Sequence, residues 1–515
     1  MRTILLLLTV LSAPLFAQQE FPQVWETKFS IDAKYKGVSD DLAYLLGGDL
    51  TELEMLDGTT GKSLWSYNFK EKNDVKKCES WKLRDATGTV EVVVDKGKKE
   101  GTEVFQLDYR TGAVVSSLAL EERKKEAPGK RVSQDMCYDK ATQTTIELSY
   151  DRKAIMSATK GTDLNLVVEA TGGHAWNAQF PARVVRHLTN DRLPAADGQV
   201  LLRIGCSHGK VFVIYQGITC LDLATGKILW NTTFDNVQTS VGLKIKQEIG
   251  RAAMPLVAED GVYICDFTKE ERTIKKLDLN TGAVIWQAEK LKKGDVVSEL
   301  ALDGGNLIAR FGGLIRVEEY IPGMDGNPDV YKVNYEFEGS TSLRAYNAAT
   351  GAPAWSTTDT EFADKFDKSE CNILSSGGKV YACGEKNVYA FDAASGKLLQ
   401  QGEYNAKAIG KASTLYPLES TFLINGEKGI ARLSSELKPT YATNTGKCLK
   451  TEVFGSSYIV WTGKDIEDMK EFGRFDLATG KITGTMEDCR YPHFNPAGDQ
   501  FVRFDGQKAM LYRTN

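Results

Sequence analysis

The sequence predicts an all-β fold, a single closed β-propeller of four-stranded antiparallel blades, and three observations predict it. The string DLATGKILW at 222–230 returns as DLNTGAVIW at 278–286, NAATGAPAW at 347–355 and DGTTGKSLW at 57–65, each with tryptophan four residues after glycine. A motif that recurs at intervals of tens of residues means stacked units rather than one continuous core. Apolar and polar residues alternate on both sides of each copy, which is the pattern of two strands joined by a hairpin. The two ends of the chain are complementary: WETKF at 25–29 resembles the strand that follows each turn but has no turn before it, and the C-terminal strands stop where such a strand is due.

Within one unit the elements follow in order. Before DLATGKILW come VLLRIGCS (200–207) and KVFVIYQG (210–217), separated by His208 and Gly209, so a unit reads as four antiparallel strands. Four-stranded units repeated radially make a propeller. At the turn, Asp222 and Thr225 hydrogen-bond local backbone groups while Gly226 supplies the positive φ that closes the hairpin. The tryptophan lies just inside the last strand, where its area covers the neighbouring unit; Trp25, Trp65, Trp176, Trp230, Trp286 and Trp355 share this position and read as packing residues rather than ligand stackers.

Marker glycines fall at Gly61, Gly112, Gly172, Gly226, Gly282, Gly351, Gly396 and Gly480, with a degenerate cycle at 421–443 and a closing unit at the C-terminus. Direct counting gives ten blades. If the cycles at 131–180 and 421–443 are insertions or incomplete, the number falls to eight. At the end, alternating strands at 500–504 and 509–513 await an outer strand, which residues 25–29 supply, and closure of this kind removes an exposed sheet edge. The long interval between Gly282 and Gly351 carries EEYIPGMDGNPDVYKVNYEFEG, read as an extended hairpin insertion near 316–340.

A unit ending in Asp-x-x-Thr-Gly with tryptophan four residues later resembles the pyrroloquinoline-quinone-type propeller repeat over most of residues 30–487. That superfamily, whose members usually have eight blades, contains both outer-membrane protein assembly propellers and quinoprotein dehydrogenases. The resemblance implies one of two functions. The first is an exported noncatalytic scaffold in cell-envelope assembly that holds protein partners through loops on one face. The second is a dehydrogenase binding pyrroloquinoline quinone (PQQ) and calcium on the axis. Dehydrogenases of this type carry adjacent cysteines near the quinone, and no two of the nine cysteines here are adjacent, which favours the scaffold without catalytic or cofactor-binding residues.

Composition agrees with a repeat protein. Fully 47 glycines against 13 prolines suit many tight turns, and 64 basic against 69 acidic residues, a net charge of -5, leave no general nucleic-acid footprint. The charged stretches DKGKKEG from Asp95 and EERKKEAPGKR from Glu121 mix both signs and read as solvated loops. Arg2, an apolar run at 4–11, Pro14 and Ala17 read as a secretory signal at 1–17 cleaved after Ala17, leaving a propeller domain at 18–515 that is periplasmic or extracellular. The run is too short for a transmembrane span, and with no cysteine after it a lipid anchor is not expected. An exported chain is permitted disulfides. Cys371 and Cys383, on either side of an SSGG turn, either face each other across a hairpin or remain buried free thiols.

Chemistry-bearing motifs are few. His174, His187, His208 and His493 are scattered, with no spacing that places two on one metal. Gly61, Lys62 and Ser63 imitate the end of a phosphate loop, but Leu56 stands where its first glycine belongs. Asp325, Asn327 and Asp329 have the alternating oxygen spacing of a calcium loop, yet Val330 replaces the glycine and no glutamate closes it, so a polar hairpin tip is the plainer reading of this candidate metal site.

Overall fold

In most units two central strands are buried along much of their length and the outermost is not, which is what stacking of sheet on sheet requires. In the unit that contains the first motif, Lys210–Tyr215 and Gly217–Asp222 are buried at nearly every position, whereas Ile228–Thr232 buries only Trp230 fully. The computed structural model describes residues 20–85, 87–96, 101–119, 131–151, 162–184, 202–235, 238–241, 246–250, 253–268, 271–292, 294–321, 330–418, 421–446, 448–454, 457–462 and 471–514. The expected signal segment, His187, and Asp325, Asn327 and Asp329 lie outside the described residues, as does most of 121–131.

Among the described residues the strands form ten antiparallel sheets, nine of four strands and one of six, so the fold is an all-β propeller of ten blades. Both doubtful cycles are complete: 131–184 and 412–444 each supply four strands, paired in chain order. The chain falls into two compact units. Residues up to Glu122 together with those from Thr445 hold blades 1, 2, 9 and 10; Arg123–Asn444 holds blades 3 to 8. The inner turn of blade 4 is the expected two-residue hairpin, with Ser207 opposite Lys210 and both His208 (φ 52°) and Gly209 (φ 68°) left-handed.

The motif residues act as a clasp between successive blades. The carboxylate of Asp222 accepts from the Thr225 amide at 2.9 Å and its hydroxyl at 2.7 Å, and these bonds, the hydroxyl's first, hold it below the usual carboxylate range. Gly226 then turns at φ 70°, and a Cβ there would lie 2.4 Å from the ring of Trp176, which belongs to the preceding blade. The same indole donates its N–H to Leu223 O at 2.8 Å. Trp25, Trp65, Trp230, Trp286 and Trp355 repeat the contact on Gly58, Tyr109, Leu279, Ala348 and Ala393, at 2.8–3.1 Å. In every case the acceptor is the carbonyl one residue after the motif's Asp or Asn. The tryptophan thus covers the next turn and also satisfies a backbone group that the turn leaves over.

Closure of the last blade follows the expectation. Gln23–Lys28 pairs with Lys508–Arg513, running from Gln23 opposite Tyr512 to Lys28 opposite Lys508. Phe29 N donates to Gln507 O at 2.9 Å, Arg513 N to Pro22 O at 3.0 Å, and Lys508 pairs with Glu26 at 2.6 Å. Phe29 and Ala33 are buried with Leu45, Val502 and Leu511, so the N-terminal segment joins a core that spans the first and last blades.

Candidate functional site

Blade 6 departs from the four-stranded rule, and its departure makes the most distinctive surface of the molecule. Its second and third strands, Asn306–Ile321 and Val330–Asn347, are 16 and 18 residues long. Only their first portion belongs to the blade, where 306–311 pairs with Val297–Asp303 and 344–346 with Pro353–Ser356. Beyond it the two strands continue as a ladder from Gly313 opposite Glu338 to Ile321 opposite Val330. The expected hairpin insertion is therefore an outgrowth of the blade's own central strands.

The outgrowth is joined by a second hairpin that the sequence reading missed. Gln238–Val241 and Lys246–Gly250, from the connection between blades 4 and 5, pair with each other, and the latter adds to 315–319. The result is a four-stranded auxiliary sheet. Ile315 and Val317 are buried from it against Val296, which anchors the sheet at its base. The opposite edge is the stretch 330–338, against which no strand pairs among the described residues. It carries Tyr335 at 37% exposure, and Lys332 and Glu336 are exposed beside it. Residues 313–339 contain Glu318, Glu319, Asp325, Asp329, Glu336 and Glu338 against Arg316 and Lys332, an acidic excess.

Where the outgrowth leaves the blade, Gly312 (φ 77°) and Gly339 (φ 75°) lie opposite one another, and the register shifts between Phe311 and Gly313. A Cβ on Gly312 would meet the Ser340 carbonyl carbon at 2.8 Å, so the bulge needs glycine for both conformation and space. The loop into the first strand of the blade and the loop out of its fourth end at the same place. Together they enclose a cavity of about 500 Å³ lined by Asp295, Phe311, Ser340, Arg344, Thr357 and Phe366 among others. The Arg344 guanidinium lies 3.8 Å from the Phe311 ring centroid and reaches Asp295 at 3.3 and 3.4 Å. Buried Arg310 donates to Ser298 Oγ at 3.0 Å and to Ser369 O, tying the loop out of the blade to its first two strands. The outgrowth is thus held on a braced base, as a presenting surface needs to be.

The other residues singled out from the sequence do not come together. His174 and His208 sit at turns of blades 3 and 4, while His493 lies in blade 10, where burial lowers its pKa and Phe504 packs edge-on at 5.8 Å. Among the described residues no group of three or more His, Cys, Asp or Glu side chains is placed to hold a metal ion. Gly61, Lys62 and Ser63 form the hairpin turn of blade 1 under Trp25. Cys371 and Cys383 are buried in one cluster, close enough for each thiol to bear on the other. Cys137 and Cys206 make a second such pair that the sequence reading missed, because their contact crosses from one blade to the next.

The family model for outer membrane protein assembly factor BamB matches residues 162–482, more than half of the 515-residue chain. No curated protein matches. Among solved structures, BamB from Moraxella catarrhalis is 12% identical, covering 96% of this chain and 99% of that one with a TM-score of 0.31. A eukaryotic initiation factor is 13% identical over 79% and 87%, TM-score 0.41. A europium-containing methanol dehydrogenase is 11% identical over 86% and 85%, TM-score 0.32. At this level of identity the likenesses concern the fold alone. No helix among the described residues is long and apolar enough to cross a membrane.

Proposed function

We propose that this chain, which belongs to the outer membrane protein assembly factor BamB family, is an exported noncatalytic scaffold that holds a protein partner on the auxiliary sheet of blade 6. The single observation that carries this reading is the edge at 330–338, a row of backbone groups with a strand on one side only, raised on a braced base. A strand of that kind is a template for an added strand, in which main-chain hydrogen bonds give affinity and side chains give selectivity. The acidic excess of 313–339 favours a partner segment rich in lysine and arginine, which attraction would also steer towards the edge. Export rests on the N-terminal apolar run and cleavage site at Ala17, and the scaffold uses neither PQQ nor a metal.

Photo-crosslinking in the native envelope tests it. A photoreactive residue at Tyr335 is expected to give a discrete protein adduct, and the same residue at Leu399, exposed on the outer strand of blade 7, is expected to give none. Equal labelling at both positions, or none at Tyr335, refutes the docking edge. Dye reduction with alcohols or sugars by the purified protein supplied with pyrroloquinoline quinone and calcium refutes the noncatalytic reading.

A further inference from the structure

The geometry points to Cys137 and Cys206 as a cross-linking site, oxidised to a disulfide that staples the first strand of blade 3 to the first strand of blade 4. The two strands, Arg131–Asp139 and Arg203–Ser207, lie side by side. Their first rung is a hydrogen bond from Ile204 N to Asp135 Oδ2 at 3.0 Å. Two residues further along each strand comes the second rung, Cys137 against Cys206, both packed on the same core and close enough for each thiol to bear on the other. Equal steps along both strands put the sulfurs on matching positions of neighbouring, similarly directed strands, so their approach follows from the same register that sets the first rung. Both side chains pack against the core that contains Leu148, Val168 and Val211, and both stay only half-buried, within reach of a solvent-borne reagent.

The step is thiol–disulfide exchange with an external disulfide, either a small-molecule disulfide or that of a thiol oxidase. One cysteine, as thiolate, attacks the external disulfide and releases one thiol; the second cysteine then attacks the mixed disulfide and releases the other. Two S–H bonds are lost, one S–S bond forms, and the external disulfide is reduced to two thiols. Burial, then Cys206, Asp135 and Asp139, push the Cys137 thiol up, so exchange is slow at neutral pH and quickens in alkali. The same effect makes Cys137 a poor leaving group, so the bond, once made, resists reduction. It would enclose the remaining three strands of blade 3 in a covalent loop. Buried Cys371 and Cys383 form a separate contact, without access for a reagent in the folded protein.

The proposal draws on the export reading only for the supply of oxidant, and the test separates the two. Reduced, purified protein is incubated with glutathione disulfide at mildly alkaline pH, alkylated and digested without reductant, and its peptides are weighed. A species joining the Cys137 and Cys206 peptides, two hydrogens lighter than their sum, is expected, with a melting temperature higher than that of the reduced protein by on the order of 5 °C. Cys206→Ser is expected to leave glutathione on Cys137. Separate alkylation of both cysteines, or stable glutathione on each in the unmutated chain, overturns the proposal, and that reading does not depend on whether the serine variant folds. The link found already formed in protein taken from cells supports both readings. Its absence there, with ready formation in the tube, upholds the site and counts against export.

Discussion

Replacing Gly226 with alanine asks how much of the blade stack depends on the tryptophan clasp, and Gly209 provides the control. Both glycines belong to blade 4 and both are left-handed, at φ 70° and φ 68°. Around Gly209 a Cβ meets nothing within 4 Å, whereas at Gly226 it would stand 2.4 Å from the Trp176 ring. Left-handed strain alone costs about 1–2 kcal/mol and applies to both. At Gly226 the indole must also move. That loses its bond to Leu223 O, about 1 kcal/mol, and disturbs the packing between blades 3 and 4, about 1–3 kcal/mol. The expected costs are therefore about 1–2 kcal/mol for Gly209→Ala and about 3–6 kcal/mol for Gly226→Ala. Thermal unfolding followed by circular dichroism reads the difference as several degrees of melting temperature, at roughly 2 °C per kcal/mol. Equal shifts for the two variants would show that the ring yields without cost and would refute the clasp as an energetic contact.

Three further outcomes follow from the fold. Deleting residues 21–29 strips the outer strand from Lys508–Arg513 and bares a sheet edge, so the melting temperature falls in one cooperative step and light scattering shows association that grows with concentration. Lys275→Met leaves Asp266 buried without its lysine, at a cost of about 3 kcal/mol near neutral pH in a chemical denaturation series. In the unmutated protein burial works to raise Asp266, but bonds from Thr268 and Lys275 outweigh it and keep its carboxyl below the usual carboxylate range. Its contribution is accordingly complete above the unfolded carboxylate pKa and vanishes as pH falls through the folded one, whereas the variant's stranded carboxyl is relieved by protonation, so the two stability curves converge in acid. Gly312→Val forces the Ser340 backbone away from the root of the outgrowth, so hydrogen exchange quickens at 313–319 while blade 4 keeps its protection.

The repeat and the last blade's closing strand were legible in the sequence because both leave local marks. Asp222, Thr225, Gly226 and Trp230 are a fixed string, and Trp25 without a turn before it advertises a strand in search of a blade. The hairpin at 238–250 left no such mark: QTSVGLKIKQEIG is largely polar, and its partner strand lies some seventy residues downstream. Its polar alternation between blades 4 and 5 was the available signal. The extended hairpin was visible as an interruption of the period, but the glycines that lift it were two among 47. Contacts such as Cys137 with Cys206, or Arg344 with Phe311 and Asp295, depend on how first strands and loops of blades align. The repeat motif, which lies at the third and fourth strands, says nothing of that alignment.

The direction of the tryptophan contacts has a consequence for how the chain is made. Each of the six indoles precedes its acceptor in the sequence, from Trp25 before Gly58 to Trp355 before Ala393. A chain emerging from the ribosome therefore always offers a new turn to a tryptophan that has already been synthesised, and the five seals whose tryptophan ends a finished blade can form without waiting for later residues. The pairing of Gln23–Lys28 with Lys508–Arg513 is the opposite case, since its first half must stay unpaired until translation is nearly over. Vectorial synthesis thus divides the molecule into seals available as the chain lengthens and one long-range join left to the end, where loop-closure entropy makes it the slowest contact to find.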